Sequence, residues 1–241
     1  MDKVLFLDFD GVLFDTLKEV YLLSRYIHFS TPFEDRINED NYALYSKYKY
    51  LVYNIWMFYY YNPIIFGNNQ EQDIVLKFQN ALLERDIAKE EIFCSEFLSA
   101  RRELVNNYFD FWKNLETPYE FFYFIKEIYE KDFQDIVIVS KKNKRSILER
   151  FSTYGFNLAQ NKIFGREILD NYQSKGEFIN EYMKNHNYKK ALFVDDNMNN
   201  LKTVDNNNVQ KILALWGNTD PNDKGCNQKE AISEINHFIS K

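Results

Sequence analysis

Val4-Leu5-Phe6-Leu7-Asp8-Phe9-Asp10-Gly11-Val12-Leu13-Phe14-Asp15 is the stretch on which the reading of the whole chain depends. An apolar run of strand length stops at two carboxylates spaced two apart, and a glycine then frees the backbone for a sharp turn. Residues two apart on a strand point to the same side, so Asp8 and Asp10 can face one site. If the chain turns at Asp10, that side chain can instead swing over the first. Either way two acids lie close together at the mouth of a buried strand, where leaving them uncompensated is costly. A bound cation or a phosphate-handling site relieves that cost. An acidic loop after a strand is the plain alternative, and spacing alone does not choose between them.

With 241 residues, 45% of them apolar and 27% charged, the chain can hold one large globular domain or two modest ones. It carries 18 Tyr and 22 Phe but only 7 Gly and 4 Pro, a bias toward long helices joined by short loops. The net charge of -6 argues against a general nucleic-acid binder, which needs a basic surface. Short basic groups at Lys141-Lys142, Lys144-Arg145 and Lys189-Lys190 read as solvated helix ends. Cys94 and Cys226 lie far apart without metal-ligand spacing, so both are expected as reduced thiols of a cytoplasmic protein. The amino-terminal apolar run is too short for a membrane span, is interrupted by Asp8 and Asp10, and lacks a signal peptide's basic region and cleavage site. No membrane or export role is expected.

After Asp15 the pattern turns helical for roughly a hundred residues, enough for a small domain over 16–114. Within it Leu51 to Tyr61 is apolar almost all round, and the periodicity predicts a helix at the centre of a bundle. Thr117-Pro118-Tyr119-Glu120 then offers an N-cap, a proline at the first helical position and an acid three residues after the cap, predicting a helix to about Lys131. It feeds Ile136-Val137-Ile138-Val139-Ser140, a β-branched run ending in a hydroxyl. A helix from Lys144 to the Gly155 stop, the short apolar Ile163-Phe164, a capped helix opening at Ser174-Lys175-Gly176-Glu177, the buried run Ala191 to Val194 ending in Asp195-Asp196, a helix to about Asp205 and a strand from Val209 to Trp216 complete the alternation. Gln228 to Lys241 reads as an amphipathic closing helix. Strands alternating with helices predict an α/β fold, a doubly wound parallel sheet assembled from 1–15 and 115–241. Ligands of such sheets bind beyond the carboxyl ends of the strands, where Asp8, Asp10, Ser140, Asp195 and Asp196 all fall.

Asp8-Phe9-Asp10-Gly11-Val12-Leu13 resembles the first signature of the haloacid dehalogenase (HAD) superfamily, in which two acids two apart and a Gly-Thr/Val-Leu sequence end the first strand. Three later stretches follow in the order that superfamily shows: Ser140 closing an apolar strand, Lys175 at a helix start, and Asp195-Asp196 after Ala191-Leu192-Phe193-Val194. The resemblance covers 1–15 and about 117–217, and does not extend to the sequence of the helical insert. It implies a Rossmann-like core with the insert as a helical cap, hinged near Phe14 to Leu17 and Asn114 to Thr117, which closes over the site and selects substrate.

The same resemblance implies a Mg2+-dependent phosphatase acting on a small phosphate ester. Asp8 would attack phosphorus and form an aspartyl-phosphate, and Asp10 would serve as general acid and then general base. Ser140, Lys175, Gly11 and Asn143 would bind the phosphoryl group. Asp8, Asp196, Asp195 and the backbone carbonyl of Asp10 would ligate the metal. A carboxylate nucleophile can approach an anionic ester only if cations offset the repulsion, a task for Mg2+ and Lys175. Asp10 favours phosphate monoesters, because the dehalogenase and phosphonate-cleaving branches lack a second acid in that role. One departure is Asn199-Asn200, where many members carry another Asp; this bears on metal affinity. A phosphomutase or phosphotransferase on the same scaffold, and a non-catalytic phosphate-binding regulatory protein, are the alternative functions. A monomer and a homodimer fit the sequence equally.

Overall fold

Lys3–Leu7 forms a central strand because both of its faces find apolar partners. In the computed structural model, which describes residues 2–34, 37–67, 71–131 and 133–240, this strand (β1) lies between two others. The remaining strands are β2 (Phe14–Asp15), β3 (Thr117–Pro118), β4 (Ile136–Val139), β5 (Ile163–Phe164), β6 (Lys190–Asp195) and β7 (Val209–Leu213). Five of them form one parallel sheet in the order β5-β4-β1-β6-β7. The chain thus builds outward from β1 through β4 and β5 on one side and through β6 and β7 on the other, and the point where the two directions diverge is where sheets of this kind bind ligands.

Alternation along the strands fills two cores. Leu5, Leu7, Ile136, Ile138, Leu192 and Val194 face one side, against the helices Glu120–Lys131, Lys144–Thr153 and Gln228–Ser240. Val4, Phe6, Val137, Val139, Ala191 and Phe193 face the other, against the helices Lys175–Asn185 and Met198–Lys202. The fold class expected from the sequence is therefore the one observed.

The chain divides into two compact units, Met1–Asp15 with Thr117–Lys241, and Thr16–Glu116. The second unit is helical and has a core of its own, in which Tyr21, Tyr45, Met57, Tyr61, Phe78, Phe97 and Trp112 are all buried. A buried carboxylate, Glu19, ties three of its helices together. It accepts from Arg101 Nη2 at 3.1 Å and from Trp112 Nε1 at 3.0 Å.

Two local expectations differ from the structure. Leu51 to Tyr61 is not one helix: 3-10 turns at Lys49–Leu51 and Ile55–Met57 precede the helix Phe58–Phe66. Val52 and Asn54 between them are extended, in keeping with the weak helix preference of β-branched residues and Asn. Thr117-Pro118 does not open a helix. It forms β3, antiparallel to β2 with Asp15 opposite Thr117, and the helix begins at Glu120. Among the described residues no helix is long and apolar enough to cross a membrane.

Candidate active site

β1 ends at Leu7, so Asp8 emerges at the carboxyl edge of the sheet, its backbone N–H still donating to Val194 O at 3.0 Å. The chain turns at once, with Gly11 at a φ of 77° and its N–H donating to Phe14 O at 2.8 Å. A side chain at Gly11 would be excluded twice over, by that left-handed conformation and by Asp196, whose Oδ2 would lie 1.9 Å from a Cβ there. The glycine that the sequence offers as a phosphate contact thus lets the first turn approach the carboxylate that follows β6.

Lys175 links the two strand ends. Its Nζ lies 2.7 Å from Asp8 Oδ2 and 2.8 Å from Asp195 Oδ2, with all three side chains buried. The helix Lys175–Asn185 presents it from the first turn. That turn is fixed by Ser174, whose Oγ accepts from Glu177 N at 3.1 Å. Burial, opposed by the Lys175 ammonium and reinforced by Asp195 and Asp196, pushes the Asp8 carboxyl up to about 8. Burial alone would lower the Lys175 ammonium, and Asp195 and Asp8 more than reverse this, holding it well above its usual range.

Asp8, Asp195 and Asp196 can each offer an oxygen to one point, these atoms lying within 4.8 Å of one another. They are not equivalent. Asp195 Oδ1 accepts from Asn197 N at 2.8 Å and Asn200 Nδ2 at 3.0 Å, while its Oδ2 accepts from Lys175 and again from Asn200 at 3.1 Å. Its lone pairs are filled, which suits it to anchoring Lys175. Asn200 thus serves this cluster as an amide that orients Asp195. Asp196 accepts from the backbone N–H of Asn218 at 2.8 Å.

Ser140 follows β4 and is buried, its N–H donating to Phe164 O at 3.1 Å and its Oγ accepting from Lys142 N at 3.3 Å. Asn143 is engaged elsewhere than at the strand-end cluster. It caps the helix Lys144–Thr153, its Oδ1 accepting from Arg145 N at 2.9 Å and its Nδ2 donating to Glu167. Asp10 is half-buried and pairs with Lys142, Nζ to Oδ1 at 3.2 Å. That pair corrects the reading of Lys141-Lys142 as a solvated group: Lys142 is 1% exposed, although Lys141 beside it is exposed. A basic pair in a turn looks alike in sequence whichever member points inward, so only the backbone path distinguishes them. Asn218 gave no sequence signal either, because it comes to Asp196 from a loop beyond β7.

No protein-family profile matches the chain, and no curated protein matches it in sequence. Solved structures do match along nearly their whole length. A protein from Lactobacillus delbrueckii subsp. bulgaricus assigned as a phosphoglycolate phosphatase superposes with a TM-score of 0.62 at 12% identity, covering 97% of this chain and 98% of its own. A protein from Clostridium acetobutylicum predicted to be a phosphatase gives 0.59 at 14% identity, covering 99% and 98%. A haloacid dehalogenase-like hydrolase from Streptococcus pneumoniae gives 0.56 at 11% identity, covering 96% and 97%. Likeness at such identities is a likeness of architecture, and with the strand order and the acidic strand ends described above it establishes that this chain has the haloacid dehalogenase-like fold.

Proposed function

We propose that this chain is a Mg2+-dependent phosphomonoester hydrolase that turns over a small phosphorylated metabolite through an aspartyl-phosphate on Asp8. The observation that carries the reading is the contact set of Asp8, Lys175 and Asp195 beside Asp196 at the carboxyl ends of β1 and β6. Four carboxylates, Asp8, Asp10, Asp195 and Asp196, face the two buried ammonium groups of Lys175 and Lys142. With all four ionised, the excess of two negative charges equals the charge of one divalent cation. The donors are hard oxygens, as Mg2+ requires, and Asp8, Asp196 and the Asp10 carbonyl would hold it. A cation drawing on Asp195 as well would displace one of its hydrogen bonds. When bound, the ion would offset negative charge on the phosphoryl oxygens and help to orient them.

The remaining steps belong to the chain. Lys175 holds Asp8 in place and presents its ammonium to the phosphoryl group, as the Ser140 hydroxyl does with a donated hydrogen bond. An Asp8 oxygen attacks phosphorus, the bond from phosphorus to the ester oxygen breaks, and Asp10 gives that oxygen its proton. A water then attacks the phosphorus of the aspartyl-phosphate. Asp10 takes the proton of the water, the bond from phosphorus to Asp8 breaks, and phosphate leaves with the carboxylate restored.

A panel of sugar phosphates, nucleotides and aryl phosphates, assayed for inorganic phosphate with Mg2+, tests the reading. Turnover of at least one ester is expected, lost reversibly in EDTA and reduced at least 1,000-fold, on the order of what removing a nucleophile costs, in Asp8→Asn. Full activity of Asp8→Asn would overturn the covalent route, and no turnover across the panel would overturn the hydrolase reading.

A further inference from the structure

We infer that Lys142 is a positioning residue that fixes the Asp10 carboxylate for its proton transfers, an inference that rests on the hydrolase reading. Lys142 is buried, and its Nζ meets both an acid and an aromatic face. The acid is Asp10, with Oδ1 at 3.2 Å, and the face is that of Phe9, whose centroid is 5.5 Å away. Burying an ammonium is costly, and a methionine of similar length would fill the same space without that cost. The charge gives Asp10 a fixed partner.

The turn that carries Lys142 is itself held. Its N–H donates to Ser140 Oγ at 3.3 Å and its carbonyl accepts from Arg166 N at 3.0 Å. The ammonium is therefore a stationary point. Among the described residues, the Lys142 contact is the one polar contact that fixes the Asp10 side chain, which is 35% exposed. With Oδ1 tethered, Oδ2 is left to face the leaving oxygen and then the attacking water. An untethered Asp10 on a half-open turn would divide its time among rotamers, and both proton transfers need one of them.

The test compares kcat/KM, which reports the chemistry up to departure of the leaving group, on two monoesters. An alkyl phosphate must have its leaving oxygen protonated, whereas 2,4-dinitrophenyl phosphate needs no proton. Lys142→Met is expected to lower kcat/KM for the alkyl ester by about 10- to 100-fold and for the dinitrophenyl ester by no more than about 3-fold, since what is lost is general-acid efficiency. Lys142→Arg should recover most of the alkyl activity. Equal losses on both esters would overturn the inference, because a merely structural lysine would affect them alike. Should Lys142→Met fail to fold, the same ratio is read on Lys142→Gln. If the wild type turns over neither ester, the hydrolase reading fails by itself, and crystal structures of the wild type and the variant then decide the tether. An Asp10 carboxylate displaced or split between rotamers in the variant upholds it, and an unmoved one refutes it.

Discussion

At the scale of single residues, Asp8 carries a conflict that a cation would resolve. Its carboxyl is pushed up to about 8 by burial, with Lys175 opposing and Asp195 and Asp196 adding to the shift, so the folded chain binds its proton more tightly than the unfolded chain does. A carboxyl raised in this way stabilises the fold fully below its unfolded value, and that contribution is lost as pH rises toward the folded value. In EDTA the wild type should therefore lose melting temperature relative to Asp8→Asn between roughly pH 5 and pH 8, and Mg2+ added at the upper end should restore the wild type but not the variant. A melting-temperature difference that stays constant with pH would show that burial of the Asp8 charge carries no such cost. The same scale separates what could be read in advance from what could not. Asp8, Asp10 and Asp196 announce themselves because acids interrupt apolar runs. Lys142 and Asn218 do not, since each comes to a carboxylate through tertiary placement rather than local pattern.

Elements place these residues, and the helix Lys175–Asn185 shows how tightly. Its start is legible, because Ser174 and Glu177 form a capping pattern, and the Ser174 hydroxyl does accept from Glu177 N. Its docking is not legible. Gly176 lies against the turn at Thr203, where a Cβ would come within 2.1 Å of the carbonyl oxygen, a contact made 27 residues further along the chain. Two substitutions on the same turn should therefore separate. Ser174→Ala removes one cap and should cost about 1 kcal/mol in denaturant unfolding. It should leave phosphatase activity within about 3-fold of the wild type, since a loss of that size shifts the folded population little. Gly176→Ala must push the helix off the turn, costing roughly 1–3 kcal/mol. It should also lower activity by more than 10-fold, a 1 Å misplacement of Lys175 being worth about 100-fold. Equal activities in the two variants would show that the docking of this helix does not set the position of Lys175. The segment Leu51 to Tyr61 makes the complementary point: its burial follows from its apolar content, but its division into two 3-10 turns and a helix depends on the extended backbone at Val52 and Asn54, which periodicity does not encode.

For the molecule as a whole, the way the helical unit enters and leaves the chain makes the parallel-sheet unit separable. Both passages run through one antiparallel ribbon, β2 with β3, in which Asp15 stands directly opposite Thr117. The ribbon is anchored on the sheet side, because Phe14 stacks on Phe9 with centroids 4.7 Å apart and contacts Phe122 at 4.9 Å. Among the described residues, neither of the two cores that sandwich the sheet includes one from 16–116, and the core of the helical unit draws on that range alone. Opposed residues on an antiparallel pair can be joined by a two-residue turn, for which Asn-Gly supplies the required left-handed conformations. A chain in which 16–116 is replaced by Asn-Gly between Asp15 and Thr117 should therefore keep a parallel-sheet circular dichroism spectrum and unfold in a single cooperative transition. Because Asp8, Lys175, Asp195 and Asp196 all belong to the retained unit, it should still gain stability from Mg2+. A shortened chain that aggregates or melts without cooperativity would show that the helical unit is needed to complete the sheet unit. One that folds but does not respond to Mg2+ would show that the acidic cluster of Asp8, Asp195 and Asp196 is insufficient to hold the ion without the insert.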